Sequence, residues 1–152
     1  IEVLKDPRVV LGASDGGAHM DMMVGSDFPT RCLGELVRER GVFTLEELIR
    51  QFTDVPARLY GLTDRGRLAP GHWADIVIFD PAKVDAGPLR TITDLPANGS
   101  RLMTKPVGVR HVLVAGEELI RDGEPTDKRP GQLLRSGKDT ETVFAREEEV
   151  TA

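Results

Sequence analysis

The chain has almost no cysteine: Cys32 stands alone among 152 residues. A single cysteine excludes an intramolecular disulfide, a cysteine metal cluster and a dithiol redox pair, so a reducing cytoplasm is the expected setting. Aromatic residues are few, 5% of the chain, and 20 basic residues face 25 acidic ones for a net charge of -5. That balance lacks both the positive field and the stacking platforms of a nucleic-acid binder. No apolar run approaches the roughly 20 residues that cross a bilayer, and the amino end carries no charged stretch followed by a hydrophobic signal core. No nucleic-acid or membrane partner is therefore expected. The first residue is Ile1 rather than methionine, and an apolar segment follows within a few residues, the pattern expected where an amino-terminal portion is missing.

What is present is organised around Val9-Val10-Leu11-Gly12-Ala13-Ser14-Asp15-Gly16-Gly17-Ala18-His19. An apolar run that stops at a carboxylate followed by glycines predicts a buried strand, residues 9 to 13, delivering Asp15 to a site. In parallel α/β folds catalytic side chains sit at the carboxyl ends of strands, where rigid strands meet variable loops. Without more, Asp15 reads first as a turn cap and His19 as a surface residue, with catalysis second. The loop of residues 14 to 30 also carries Met20, Met22 and Met23, whose adaptable side chains suit core filling first and pocket lining second.

Cys32, Leu33, Leu36 and Val37 recur at helical spacing and predict an amphipathic helix over 31–40, ended by Gly41. Thr44 with Glu47 makes a capping box ahead of Leu45, Leu48, Ile49 and Phe52, the clearest helix in the chain. Asp54 caps a third short helix that tolerates Pro56 in its first turn and stops at Gly61. Beyond Leu62 the pattern changes. Ile76 to Phe79 is a continuous apolar run expected of a strand buried on both faces. Residues 82 to 106 read as irregular, with at most a short strand at Thr91 to Thr93, and residues 109–114 and 117–121 flank Ala115-Gly116 as a hairpin. Gln132 to Arg135 suggests a last edge segment, and the charged residues 137–152 a poorly ordered tail. This order gives three units, 1–61, 62–136 and 137–152.

Ser14-Asp15-Gly16-Gly17-Ala18-His19, Phe28-Pro29-Thr30-Arg31, Pro56-Ala57-Arg58 and the run Gly66-Arg67-Leu68-Ala69-Pro70-Gly71-His72-Trp73-Ala74-Asp75-Ile76-Val77-Ile78 together resemble the carboxyl-terminal part of the amidohydrolase superfamily, in its N-acyl-D-amino-acid deacylase, or D-aminoacylase, branch. The last run is the most specific. The resemblance implies an α+β fragment: the last strand and helices of a (β/α)8 metal-dependent hydrolase barrel, followed by part of a small β-sandwich. It implies one or two zinc ions, an N-acyl amino acid as small-molecule substrate, and Asp15 as the group that stands beside a zinc-bound water and touches metal. An amide needs such help, because the water must lose a proton and the amine must leave protonated.

His19 is then a candidate for orienting the carboxylate or contacting substrate, and Arg31 or Arg8 for pairing with a substrate carboxylate. Asp75, His72, His111 and Cys32 read as structural. The superfamily's H-x-H, its mid-barrel ligand and its later histidines are absent, so the segment alone is not expected to be a working deacylase, and its partner is the amino-terminal portion of the same enzyme. Other amidohydrolase reactions, cyclic-amide opening or deamination, remain alternatives, as does a non-catalytic assembly module or homo-oligomer built on an open sheet edge.

Overall fold

The computed structural model describes residues 1–12 and 14–143. After a single helical turn, α1 (Glu2–Lys5), the chain bends at Asp6, and Val9 to Gly12 run on without regular structure. The strand expected at residues 9 to 13 is thus absent among residues 9 to 12. An interior strand is defined by ladder bonds to neighbours, and this segment has none beside it. Leu11 still packs against the core.

Helix α2 (Phe28–Cys32) begins three residues earlier than the expected helix and passes directly into a π-helical stretch, Leu33–Glu39. Pro29 is accommodated in its first turn, where no backbone donor is needed. The wider π turn ends as Val42 and Phe43 donate their amides back to the Leu36 carbonyl at 2.7 and 3.3 Å. Helix α3 (Leu45–Phe52) starts at the foreseen capping box, and α4 (Asp54–Leu59) follows after one residue. Asp54 lies inside α4 rather than capping it, its buried carboxylate paired with Arg58 at 3.0 Å and Arg67 at 3.2 Å.

Leu33, Val42, Phe43 and the fully buried Leu48 form the core with Val84, which reaches in from the other half of the chain. Arg38 secures that junction, donating to the Val84 carbonyl at 2.5 Å and pairing with Asp85 at 2.6 Å. Gly34 leaves room there for the Asp85 carboxylate, which a Cβ would displace.

The second half is an antiparallel sheet ordered β1 (Ile76–Phe79), β4 (Val109–Val114), β5 (Glu117–Arg121), β6 (Glu124–Pro125). Strand β1 is not buried on both faces as expected: Val77 and Ile78, consecutive and so on opposite faces, are both exposed. Between β1 and β4 the chain makes an excursion whose base is closed by Asp85 and Val107, each donating its amide to the other's carbonyl at 3.2 and 2.9 Å. The excursion carries a second antiparallel pair, β2 (Arg90–Leu95) and β3 (Gly99–Met103), where at most a short strand was expected. Residues 132 to 135 form no strand. Of the expected tail, Glu141 donates its amide to the Gly61 carbonyl at 2.9 Å, and residues 144–152 lie outside the described residues.

The accessible surface is 11064 Å² for 16.6 kDa. Folded monomers of that mass expose about 7,600 Å². An open cleft of about 640 Å³ between Val10, Leu11 and the helices is lined by Phe28, Phe52, Leu59 and Tyr60.

Candidate active site

Asp15 sits where the apolar segment ends, in an exposed turn with φ of 50°. A left-handed backbone is uncommon for a residue with a Cβ, and Asp tolerates it better than most. The turn is held locally. Gly16 donates its amide to Ser14 Oγ at 3.1 Å, and Ala18 donates to the Asp15 carbonyl at 3.3 Å. The loop returns so closely that a Cβ at Gly25 would overlap the Ser14 carbonyl oxygen, which explains a glycine at that position. His19 is also left-handed, φ 45°, and its carbonyl accepts the amides of Met22 and Met23 at 2.9 and 3.0 Å. Asp15 and His19 therefore share one short, solvent-facing loop, each turning the chain.

Among the described residues one long-range backbone bond ties this loop to the rest of the molecule: Leu102 on β3 donates its amide to the Met20 carbonyl at 2.7 Å. The β2–β3 pair thus stands beside the Asp15 loop, a neighbour the sequence reading missed. Its turn runs through Ala97 and Asn98, both left-handed, and Pro88 and Pro96 masked the strands to either side in the sequence.

Arg31 lies on α2 with its guanidinium on the buried Asp27 carboxylate at 2.5 Å, and that pairing raises the arginine's already high pKa. Asp27 closes the loop that Asp15 opens, and its spacing of four from Arg31 was the clue to it. Arg8 forms a two-point pair with Asp6, at 2.9 and 2.6 Å, which holds the Asp6 carboxyl well below the usual carboxylate range. Cys32 is half buried against the core, and burial pushes its thiol pKa up. Met22 and Met23 are exposed, against the core role expected first for them.

A catalytic zinc takes about three protein ligands. Among the described residues no three His, Cys, Asp or Glu side chains are grouped to hold a metal ion. These residues therefore do not fit a zinc site by themselves. In the sheet, His111 contacts Glu118 at 2.8 Å, and the buried Nδ1 of His72 has no hydrogen-bond partner among the described residues. No helix among the described residues is long and apolar enough to cross a membrane.

A mixed helix-and-sheet chain with an aspartate turn after an apolar segment is the carboxyl-terminal pattern that the sequence suggested, and comparison with known proteins supplies the class. The chain belongs to the amidohydrolase family, whose sequence model matches residues 2–120. Within it, the chain is similar to the N-acyl-D-glutamate deacylase of Alcaligenes xylosoxydans xylosoxydans, 43% identical over 125 residues that cover 80% of this chain and 23% of that protein. The D-aminoacylase of the same organism is 33% identical over 124 residues, 80% of this chain and 24% of that protein. A crystal structure of D-aminoacylase, described as defining a novel subset of amidohydrolases, matches with a TM-score of 0.51 at 32% identity, over 66% of this chain and 19% of that one. The chain spans about a quarter of the length of these curated relatives.

Proposed function

We propose that this chain is the carboxyl-terminal segment of an enzyme that hydrolyses the amide bond of N-acyl amino acids, D-configured ones by analogy with its relatives, in the cytoplasm. The observation that carries this reading is the family match over residues 2–120, which includes the Asp15 turn, together with the deacylase names of the relatives. On this reading residues 1–61 close a (β/α)8 barrel and residues 62–136 supply part of a β-sandwich. The uncovered apolar cleft supports it, being a surface of the kind that a barrel's remaining strands and helices cover.

Asp15 is the proton-handling group. Its carboxylate accepts the proton of the attacking water and returns it to the departing amine nitrogen, so the amine leaves neutral. His19, at the far end of the same turn, orients that carboxylate or the substrate; Arg31 contributes a substrate contact from its exposed helix face. Zinc is expected from the family, with ligands beyond the described residues.

The test is Asp15→Asn in the complete protein. Loss of about 10²- to 10⁴-fold in kcat, the usual worth of a positioned acid or base, with an unchanged melting temperature, is expected. Undiminished hydrolysis sinks the role of Asp15. A second reading, another amidohydrolase reaction such as cyclic-amide opening, is favoured by one local likeness: the dihydroorotase of Lactobacillus johnsonii is 54% identical over 44 residues, 29% of this chain and 10% of that protein.

A further inference from the structure

The loop that carries Asp15 and His19 is held from within by bonds between near neighbours: Gly16 to the Ser14 hydroxyl, Ala18 to Asp15, Met22 and Met23 to His19, and Phe28 to Gly25. Such bonds shape the loop without fixing where it stands in the molecule. Its two ends are fixed, since Gly25 lies against the Ser14 carbonyl and Arg31 holds Asp27 at 2.5 Å. Its middle rests on the Leu102 amide, which meets the Met20 carbonyl at 2.7 Å, and Met20 is half-buried where residues 15 to 19 are exposed. Asp15 and His19, left-handed at φ 50° and 45°, both lie just before that support. A sparsely populated backbone of this kind persists where its surroundings over-determine it.

The support is itself braced. Across the β2–β3 pair Arg101 grips both oxygens of Asp94 at 2.8 and 2.7 Å, and the Thr93 and Ser100 hydroxyls meet at 3.0 Å. At its base Asp85 and Val107 exchange amide bonds, and Gly87 approaches the Lys105 carbonyl so closely that a Cβ would overlap its oxygen. From there Arg38 carries the connection to the helices, bonding the Val84 carbonyl at 2.5 Å and the Asp85 carboxylate at 2.6 Å, while Val84 is buried among Leu33 and Leu48. A continuous run of bonds thus leads from the helical core to the middle of the Asp15 loop. Successive residues of an antiparallel strand aim their amides to alternate sides. The Leu102 amide, spent on Met20, therefore points away from β2, and Arg101 and Met103 to either side of it face the ladder.

We propose that the β2–β3 pair is a strut that positions the Asp15 loop, and that Leu102, through its backbone N–H, is a positioning residue for the reaction. This rests on the N-acyl amino acid reading above. With the bond in place, the turn from Asp15 to His19 is set at one height relative to the helices. Without it the loop keeps its two anchored ends, and the Asp15 carboxylate between them is free to shift. Misplacing a reacting group by about 1 Å costs on the order of 100-fold in rate. One bond at the middle of the loop therefore weighs more on kcat than on folding.

The experiment measures kcat and KM in the complete protein and its L102P, L102M, D15N and D15N/L102P variants, on N-acetyl-D-glutamate or whichever N-acetyl-D-amino acid the parent hydrolyses fastest. Proline lacks the N–H and is tolerated where a strand's amide faces away from its ladder, whereas methionine keeps both the amide and the bulk. L102P is expected to lower kcat about 10- to 100-fold with KM largely unchanged, and L102M to stay near the parent. In the D15N background L102P is expected to cost nothing further, because the group it displaces is already gone. Undiminished kcat in L102P, an equal loss in L102M, or the same fold-loss in both backgrounds overturns the strut, since a merely structural role lowers activity with or without Asp15. Hydrogen exchange of the Leu102 amide in the unsubstituted protein gives a readout that depends on no variant's folding: it is expected to be slowed like the ladder amides of Arg101 and Met103, and exchange at the open-chain rate overturns the proposal. A parent without hydrolysis, or a fully active D15N variant, overturns the reading of the reaction and the strut with it. An active, Asp15-dependent parent that L102P matches overturns the strut alone.

Discussion

The stretch from Phe28 to Phe52 and the stretch from Asp64 to Phe79 are held by opposite means. In the first, burial dominates: Leu33, Val42, Phe43 and Leu48 meet in one cluster, and Phe28 stands edge-on to Phe52 with ring centres 5.6 Å apart. In the second, polar contacts dominate. Arg65 pairs with Asp64 at 3.1 Å and with Asp75 at 2.9 Å, Trp73 donates its indole N–H to Asp64 at 2.7 Å, and Asp75 accepts the Ala115 amide at 2.8 Å. Here lies the most specific stretch of the sequence, and it carries no reactive group. Its polar residues Asp64, Arg65, Trp73 and Asp75 are bonded to one another and to Ala115, so the motif records how the sheet is joined to the segment before it. The chemistry is assigned instead to a loop that local bonds hold, in which Asp15 has no hydrogen-bonded side-chain partner among the described residues.

That contrast predicts different responses to the same substitution. Asp15→Asn is expected to reduce kcat by about 10³-fold, within the range of a lost acid or base, with melting unchanged. Asp75→Asn is expected to leave kcat per folded molecule within about threefold, the reverse pattern, since it acts through structure. If the two variants lose activity equally, the division between joining motif and reactive loop fails.

The next contrast is in stability. Leu48→Ala removes a fully buried side chain from the core and is expected to cost about 3 kcal/mol in chemical denaturation. Val77→Ala, at an exposed position of β1, is expected to cost less than about 1 kcal/mol. A loss at Val77 as large as at Leu48 would mean that β1 is covered in solution. Asp75→Ala falls between them, at about 1 kcal/mol: it leaves the Ala115 amide without its acceptor and frees Arg65, but the carboxylate is a third exposed and solvent screens the ion pair.

How much of this was legible in the sequence follows the same division. Local grammar was readable: the Thr44–Glu47 box, the stop at Gly61, where φ is 69°, and the hairpin turning at Ala115-Gly116 all depend on near neighbours. Expectations that required partners were not met. Val9 to Gly12 has strand composition but no ladder, and Val77 and Ile78 have core composition yet stand exposed. The β2–β3 pair was hidden by a turn through Ala97 and Asn98, both left-handed at φ 58° and 59°, which alanine seldom signals. Of the candidate site, the placing of Asp15 and His19 on one loop was legible. The approach of Leu102 to Met20 was not, because 82 residues separate the partners, and the engagement of Arg31 by Asp27 had only its spacing of four as a sign.

The smallest effect concerns the start of α3, where burial and polar contact meet. Thr44 Oγ1 accepts the Glu47 amide at 3.2 Å, and the Glu47 carboxylate accepts the Thr44 amide at 2.7 Å. The Thr44 N–H, aided by the Thr44 hydroxyl and Lys5, holds the Glu47 carboxyl below its ordinary pKa of 4.5. A carboxyl whose pKa is lowered in the folded state adds stability that is fully present above the unfolded value and is lost as pH falls through the folded one. The window therefore opens near pH 4.5 and extends downward. Glu47→Gln keeps a side-chain acceptor but does not titrate, so the stability gap between parent and variant is expected to be constant at neutral pH and to shrink with acidification below that point. Melting of both proteins across that range, followed by helical circular dichroism, measures the gap. A gap that stays constant to low pH would mean that the carboxylate's charge contributes nothing at this helix end, leaving the hydroxyl of Thr44 as the effective cap; its removal in Thr44→Ala is expected to cost about 1 kcal/mol at any pH.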